Sequence, residues 1–288
     1  MSWQNLLLKT MPFACLHDEK SPVNVLGVPL DVTSTYRPGS RFAPDRIRDA
    51  ACNLELFSLT TGLSLERSGF NDLGNIMLPP GDIDGSLHRI NYLARAISES
   101  VLRGLNVFLG GEHLITYPLT KAFSDKVDTI IVFDAHLDMR SEYMDSRVNH
   151  ATFLRKLIEE GFRVIHLGSR AYSEEELEFA KDRADVFNVV DVMRGRINLS
   201  KLGRVYLSID MDVFDPSYAP GVSNPEPFGL GPWQFLDILA KIIENCDDIT
   251  AIDVVEVNPL VDVNDITSIL AAKVILEITG LYLKYFYE

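Results

Sequence analysis

Cysteine is scarce: three residues in 288, with no CxxC pair, offer neither a disulfide framework nor a zinc knuckle. Cys15, Cys52 and Cys246 are therefore predicted to be reduced, buried small side chains in a cytoplasmic protein. No basic stretch leading into an apolar core and a small-residue cleavage site opens the chain, and no apolar run approaches the ~18 residues a membrane span needs. Neither a secretory leader nor a membrane partner is expected. Basic clusters are missing as well. Lys and Arg number 27 against 41 Asp and Glu, a formal charge of −14, which argues against a nucleic-acid partner and suits a cationic small molecule. No GxGxxG turn follows a strand and no GxxxxGK[ST] loop occurs, so a nucleotide cradle is excluded. Linkers, low-complexity tracts and internal repeats are absent too, leaving one domain over 1–288 as the simplest organisation.

What the chain does have is a 47% apolar composition and short β-branched runs alternating with helix-length segments. Strands are predicted at 23–28, 106–109, 129–133, 163–167, 185–189, 205–209 and 250–255. Helices are predicted at 41–56, 88–103, 114–123, 151–160, 173–183, 232–244 and 265–285. Ser173 followed by Glu176 reads as a capping box, hydroxyl and carboxylate each satisfying a free N–H of the first turn. The fold class is α/β, a parallel sheet covered on both faces. In such sheets ligands bind beyond the carboxyl ends of the strands, which directs attention to polar residues just after each apolar run.

Three segments stand there. FDAHLDMR follows the run Thr-Ile-Ile-Val-Phe and carries Asp134, His136 and Asp138; if the chain stays extended, alternate side chains share a face and the three converge. SIDMDVFDP places Asp210 and Asp212 at the next such end. Two carboxylates on one face repel unless a cation lies between them. Gly110, Gly111, Glu112 and His113 follow Asn-Val-Phe-Leu, the glycines permitting a tight turn that aims His113 at the same region. His113, Asp134, His136, Asp138, Asp210 and Asp212 are thus the candidate metal ligands. Four carboxylates and two imidazoles without a thiolate favour a hard divalent ion over structural zinc, and manganese is the first choice. If Asp134 and Asp210 bridge, six side chains can serve two ions about 3.5–4 Å apart, an arrangement that lowers the pKa of a shared water and implies hydrolysis.

GGEH, DAHLD, SIDMDVFDP and DVVEVNP, in this order and spacing, resemble the ureohydrolases, the arginase and agmatinase family, and the likeness runs from about Gly27 to the C-terminal helix. The resemblance implies a three-layer αβα sandwich with a mostly parallel eight-stranded sheet, two Mn2+ ions per subunit and a trimeric or hexameric homo-oligomer. It would divide the ligands into His113, Asp134, Asp138 and Asp210 for one ion and Asp134, His136, Asp210 and Asp212 for the other. Glu256, after Ile-Asp-Val-Val, can take a guanidinium in two parallel charge-assisted hydrogen bonds, as its family counterpart does. His150, in VNHATFLR, matches the family's catalytic histidine and could carry a proton to the leaving amine. Asp138 is expected to help stabilise the tetrahedral intermediate. His17, His88 and His166 are expected to be structural.

The substrate expected is agmatine, cleaved to urea and putrescine, because DAHxDxR followed by HATFLR is similar to agmatinases rather than arginases. Where the family often has Gly-Thr-Gly-Thr-Pro-Glu, this chain has Gly221 to Glu226 as GVSNPE, so Asn224 brings an amide where a hydroxyl is expected beside the substrate. Arg140 resembles formimidoylglutamases and could clamp a substrate carboxylate, or form a structural ion pair. Formimidoylglutamate or a guanidino acid is the alternative substrate. Two rival classes are a one-ion zinc deacetylase and an inactive scaffold homologue; the intact ligand set and Glu256 speak against both.

Overall fold

The computed structural model describes residues 3–99 and 104–287. In chain order the elements are β1 (Leu7–Leu8), β2 (Val23–Val28), α1 (Ala43–Ala51), β3 (Asn71–Ile76), α2 (Ile83–Glu99), β4 (Leu105–Gly110), α3 (Thr116–Ala122), β5 (Thr129–Phe133), α4 (Phe153–Glu159), β6 (Val164–Ser169), α5 (Glu174–Ala180), β7 (Asp185–Asn188), α6 (Val189–Met193), β8 (Gly203–Asp210), α7 (Pro232–Asn245), β9 (Cys246–Val255) and α8 (Ile266–Tyr285). They form one sheet of order β1-β3-β2-β4-β9-β8-β5-β6-β7. The two-residue β1 pairs antiparallel with β3, and the other eight strands run parallel. The sheet therefore has nine strands where eight were expected, the extra one being this short edge.

Alternation along the strands builds the three layers. On β5, Ile131 and Phe133 enter one core with Ile47 of α1, Ile242 of α7 and Ile275 of α8. Ile130 and Val132 enter the other with Leu93 of α2, Leu119 of α3 and Leu157 of α4. The consequence is an αβα sandwich whose central strands, β4, β9, β8 and β5, are covered on both faces.

Several expectations are corrected. β3 reads Asn-Asp-Leu-Gly-Asn-Ile, too polar to announce a strand; it is held by tertiary contacts, Asn71 Nδ2 donating to Asn24 Oδ1 (2.9 Å) and Asn24 Nδ2 to Asn106 Oδ1 (3.2 Å) across neighbouring strands. The short α6 was also missed, although Asn188 caps it by accepting from the N–H of Asp191. The helix predicted to reach Arg103 ends its described part at Glu99, and 100–103 lie outside the described residues. Cys15 and Cys52 are joined in a disulfide, contrary to the reading of reduced, buried thiols. Ala14 and Cys15 both adopt positive φ, which folds the segment back onto the end of α1; 37 residues of separation hid the pair. Cysteine content thus lends no support to a reducing compartment, and Cys246 is the free thiol. Finally, α8 is long and apolar enough to span a membrane by composition, but 72% of its most apolar window is buried in the fold. Its Glu277 accepts hydrogen bonds from the N–H groups of Leu59 and Thr60, which marks it as a core helix.

Candidate metal centre

The candidate residues sit at the carboxyl ends of β4, β5, β8 and β9, four adjacent central strands. Beyond β4 the chain turns at Gly111, where a Cβ would lie 1.8 Å from the carbonyl oxygen of Leu30, so any side chain would force the backbones apart. The turn places His113 at the start of a 3-10 turn, 1% exposed. Its backbone N–H donates to Glu256 Oε1 (2.8 Å), tying the end of β4 to the end of β9.

After β5 the chain does not stay extended. Asp134 Oδ1 accepts from the N–H of His136 (2.6 Å), and Asp138 takes a left-handed φ of 52°. Asp210 likewise accepts from the N–H of Asp212 (2.8 Å) as the end of β8 passes into a 3-10 turn. Carboxylate-capped turns, and not the pleat of a continuing strand, converge these side chains. Glu256 also has a positive φ of 63°. Two charged residues in a conformation that β-carbons disfavour, both at one site, are strained positions held by their surroundings.

All six candidate ligands come together. His113 Nδ1 lies 3.0 Å from Asp134 Oδ2, 3.2 Å from Asp210 Oδ2 and 3.5 Å from Asp138 Oδ2. His136 Nδ1 lies 2.8 Å from Asp212 Oδ2 and 3.7 Å from Asp134 Oδ1. Two groups result, His113 with Asp134 and Asp210, and Asp134 with His136 and Asp212, so Asp134 belongs to both. His113 Nδ1 and Asp134 Oδ2 are buried without a hydrogen-bond partner, despite their proximity. Behind them His113 Nε2 meets Ser208 Oγ (2.9 Å), which donates to Asp253 Oδ1 (2.6 Å), a fully buried carboxylate also bonded by Tyr206 and Thr116. That backing fixes the ring with Nδ1 toward the acidic cluster.

Electrostatics agree with a site shaped for cations. Burial, then the neighbouring Asp134, pushes Asp138 up to about 7, and burial with Asp212 and Asp134 pushes Asp210 well above the usual carboxylate range. Burial likewise raises Glu256 to about 7, against the hydrogen bond from His113, and raises Glu112 to about 8. Burial disfavours a charged His113, but Asp134, Asp138 and Asp210 outweigh it and hold its pKa well above normal. The protein itself supplies too little positive charge for these groups, and oxygen and imidazole donors with an orphaned Nδ1 fit one or two hard divalent ions.

A cavity of about 600 Å³ opens over the cluster, lined by every candidate site residue except the more deeply placed Asp134. His150, Glu256 and Asn224 are on its wall. Burial pushes His150 down to about 4, so its imidazole is neutral at pH 7. Arg140 reaches Glu176 Oε2 (3.7 Å) and lies over the Tyr143 ring (5.3 Å), an ion pair it makes while still lining the cavity. Glu176 is also the capping-box residue of α5, where Ser173 N–H donates to it at 2.8 Å. His17 and His88 are exposed and outside the cavity over the cluster, and His166 is buried with Nε2 2.6 Å from the carbonyl of His136. Sequence reasoning missed Thr33, Tyr36, Glu226, Tyr143 and Tyr172. The polar stretch Thr-Ser-Thr-Tyr-Arg begins five residues past the end of β2, close enough for the strand-end rule to have pointed to it.

A parallel sheet with acidic and imidazole side chains gathered past its central strands defines an α/β protein with a site able to hold divalent cations. Residues 21–280 match the model of the arginase family. The chain is 35% identical to an agmatinase of Bacillus anthracis over 90% of this chain and 91% of the relative, and 32% identical to an N(1)-aminopropylagmatine ureohydrolase of Thermococcus kodakarensis over 96% of each. The crystal structure of the agmatine ureohydrolase of Thermoplasma volcanium superposes with a TM-score of 0.84 at 33% identity, covering 100% of this chain and 99% of that one. The chain belongs to the arginase family and is a hydrolase of that family.

Proposed function

We propose that this protein cleaves the guanidino C–N bond of agmatine, giving urea and putrescine, with two Mn2+ ions held by His113, Asp134, His136, Asp138, Asp210 and Asp212. The observation that carries the substrate reading is Glu226, a cavity-wall carboxylate outside the proposed ligand set and apart from the guanidinium-binding Glu256. Asp138, Glu176, Asp210, Asp212, Glu226 and Glu256 line the cavity against Arg37 and Arg140. A substrate carboxylate would find Arg140 already engaged with Glu176 and Arg37 stacked on the ring of Tyr36 at 4.6 Å, whereas a distal ammonium would meet Glu226 at the wall beside His136 (3.8 Å).

When bound, the two cations supply Lewis acidity and a water that ionises near neutral pH. The chain's own groups do the rest. Glu256 takes the guanidinium in a bidentate pair and orients its carbon. Water adds to that carbon and gives up a proton, which His150 passes to the leaving nitrogen; the bond to the amine arm breaks, and the second water proton follows to the amine as the carbonyl of urea forms. Asp138, buried beside the reacting centre, helps stabilise the tetrahedral intermediate by accepting from its N–H groups. Exposed Phe228 and Trp233 are available to bury apolar surface in the homo-oligomer that the family resemblance implies.

The test is urea release by manganese-loaded protein from agmatine, N(1)-aminopropylagmatine, arginine and guanidinobutyrate, with formamide release from formimidoylglutamate in parallel. Agmatine should be turned over best. The cavity has room for the longer amine, and preference for it would move the proposal to extended guanidino amines. Formamide release would overturn the reading and give Arg140 a new role.

A further inference from the structure

We propose that Thr33 is a positioning residue that sets the ring orientation and tautomer of His150; this rests on the proton-carrying role of His150 given above. Thr33 lies in the loop between β2 and α1, 117 residues from His150. Its hydroxyl donates to Glu112 Oε2 at 2.8 Å, and its backbone N–H donates to the same carboxylate at 2.9 and 3.1 Å. The oxygen of that hydroxyl accepts from the backbone N–H of His150 at 3.1 Å and lies 3.4 Å from His150 Nδ1.

A hydroxyl has one proton, and here Glu112 Oε2 takes it; Oε2 already faces the Thr33 N–H, so a proton held by Glu112 would sit on Oε1 and leave that acceptor in place. Toward His150 the oxygen can then offer lone pairs alone. A neutral imidazole is stabilised in that position when Nδ1 carries its hydrogen, which leaves Nε2, the nitrogen turned away from Thr33, without one. The edge of Tyr143 stands against the ring at 6.0 Å and 84°, restricting its rotation from another side. His150 is 8% exposed, so water offers little alternative partnership. The relay therefore begins with Nε2 receiving the proton given up by the adding water and then passing it to the leaving nitrogen. Glu112, one residue before His113, holds Thr33 in register with the ligand cluster.

The experiment compares Thr33→Val, Thr33→Ser, His150→Asn and Thr33→Val/His150→Asn, using the best substrate of the panel above. Thr33→Val should lower kcat about tenfold with KM and metal content little changed, since misorientation of a relay affects the chemical step. Thr33→Ser should recover most of the rate. In the His150→Asn background, Thr33→Val should cost nothing further. Nitrogen-15 spectra of histidine-labelled, metal-free protein, with the His150 signals assigned by their loss in His150→Asn, should report the Nδ1–H tautomer in the wild type and its loss in Thr33→Val, whatever the substrate. Additive losses in the double variant, a change confined to KM or metal content, or the same tautomer in both proteins would overturn the proposal. Wild-type turnover by His150→Asn would instead sink the role of His150, and this inference with it. If valine disturbs the loop, Thr33→Ala enters the same cycle.

Discussion

Two buried charge clusters in this molecule are built on opposite rules. In the first, Arg48 of α1 is 0% exposed and its Nε and Nη2 donate to the two oxygens of Asp72 at 2.8 and 2.9 Å. Asn75 Oδ1 and the carbonyl of Gly74 take further N–H groups, and the N–H of Phe13 donates to Asp72. Every charge there is answered by the protein. In the second, at the ends of β4, β5 and β8, carboxylates outnumber their partners, and an imidazole nitrogen and a carboxylate oxygen are buried without hydrogen bonds. The first cluster is complete when the chain folds, while the second is complete only with something positive added. Burial of charge is common to both; satisfaction by the protein is what separates structure from site.

The contrast is broken most sharply by Asp210→Asn. The change keeps the oxygen that accepts from the N–H of Asp212 and puts a neutral amide where burial, Asp212 and Asp134 already resist a charged carboxylate. Turnover of the manganese-supplied protein should fall by at least ~1000-fold, the scale expected when a central electrostatic group of a water-excluded site is lost. The metal-free variant should nevertheless melt no lower than the metal-free wild type, because no charge that the fold itself answers has been lost. A lower melting temperature would mean that this carboxylate is answered by the protein after all.

Arg48→Leu should do the reverse. It leaves the carboxylate of Asp72, 2% exposed, without its partner, and a broken buried ion pair costs about 3–5 kcal/mol. Denaturant unfolding should show that loss, while turnover per folded molecule stays close to wild type. A variant of normal stability and impaired turnover would dissolve the distinction between the two clusters.

How far this could be read in advance follows from the same physics. The apolar runs of β2 and β5 announce themselves by composition, and their predicted bounds match the observed ones. The candidate ligands were legible because each follows such a run, and a strand end fixes where its next residues lie. The way they converge was not legible: Asp138 reaches its place through a left-handed backbone, and Asp134 and Asp210 fold their own turns. Contacts between distant segments were hidden for a different reason. Thr33 meets His150 and Cys15 meets Cys52 through the packing of the whole sheet, and β3 is a strand because Asn71 finds Asn24, none of which leaves a local periodic signal.

The smallest effect sharpens the comparison through pH. In metal-free protein Asp138 and Glu256 are pushed up to about 7 and Glu112 to about 8, chiefly by burial, and Asp210 lies well above its ordinary range. Folded values above the unfolded ~4 mean that the folded state holds protons the unfolded chain releases. This contribution to stability is full below about pH 4 and is lost as pH rises through 7 to 8. His113 and His136, held well above 6.5 by their carboxylate neighbours against the effect of burial, add a loss of the same sign above that value. The opposing groups have finished changing by then. Asp134 sits well below its usual range despite burial, because of His113 and His136, and His150 is lowered by burial to about 4, so both withdraw stability as pH falls and neither does so above 6.5. Between pH 6.5 and 8.5 the metal-free protein should therefore lose a few degrees of melting temperature. Manganese, which binds the deprotonated ligands, should stabilise more at the upper end of that window. Calorimetry with and without manganese at the two pH values checks both slopes. A metal-free melting temperature that rises with pH would show that the second cluster is compensated like the first.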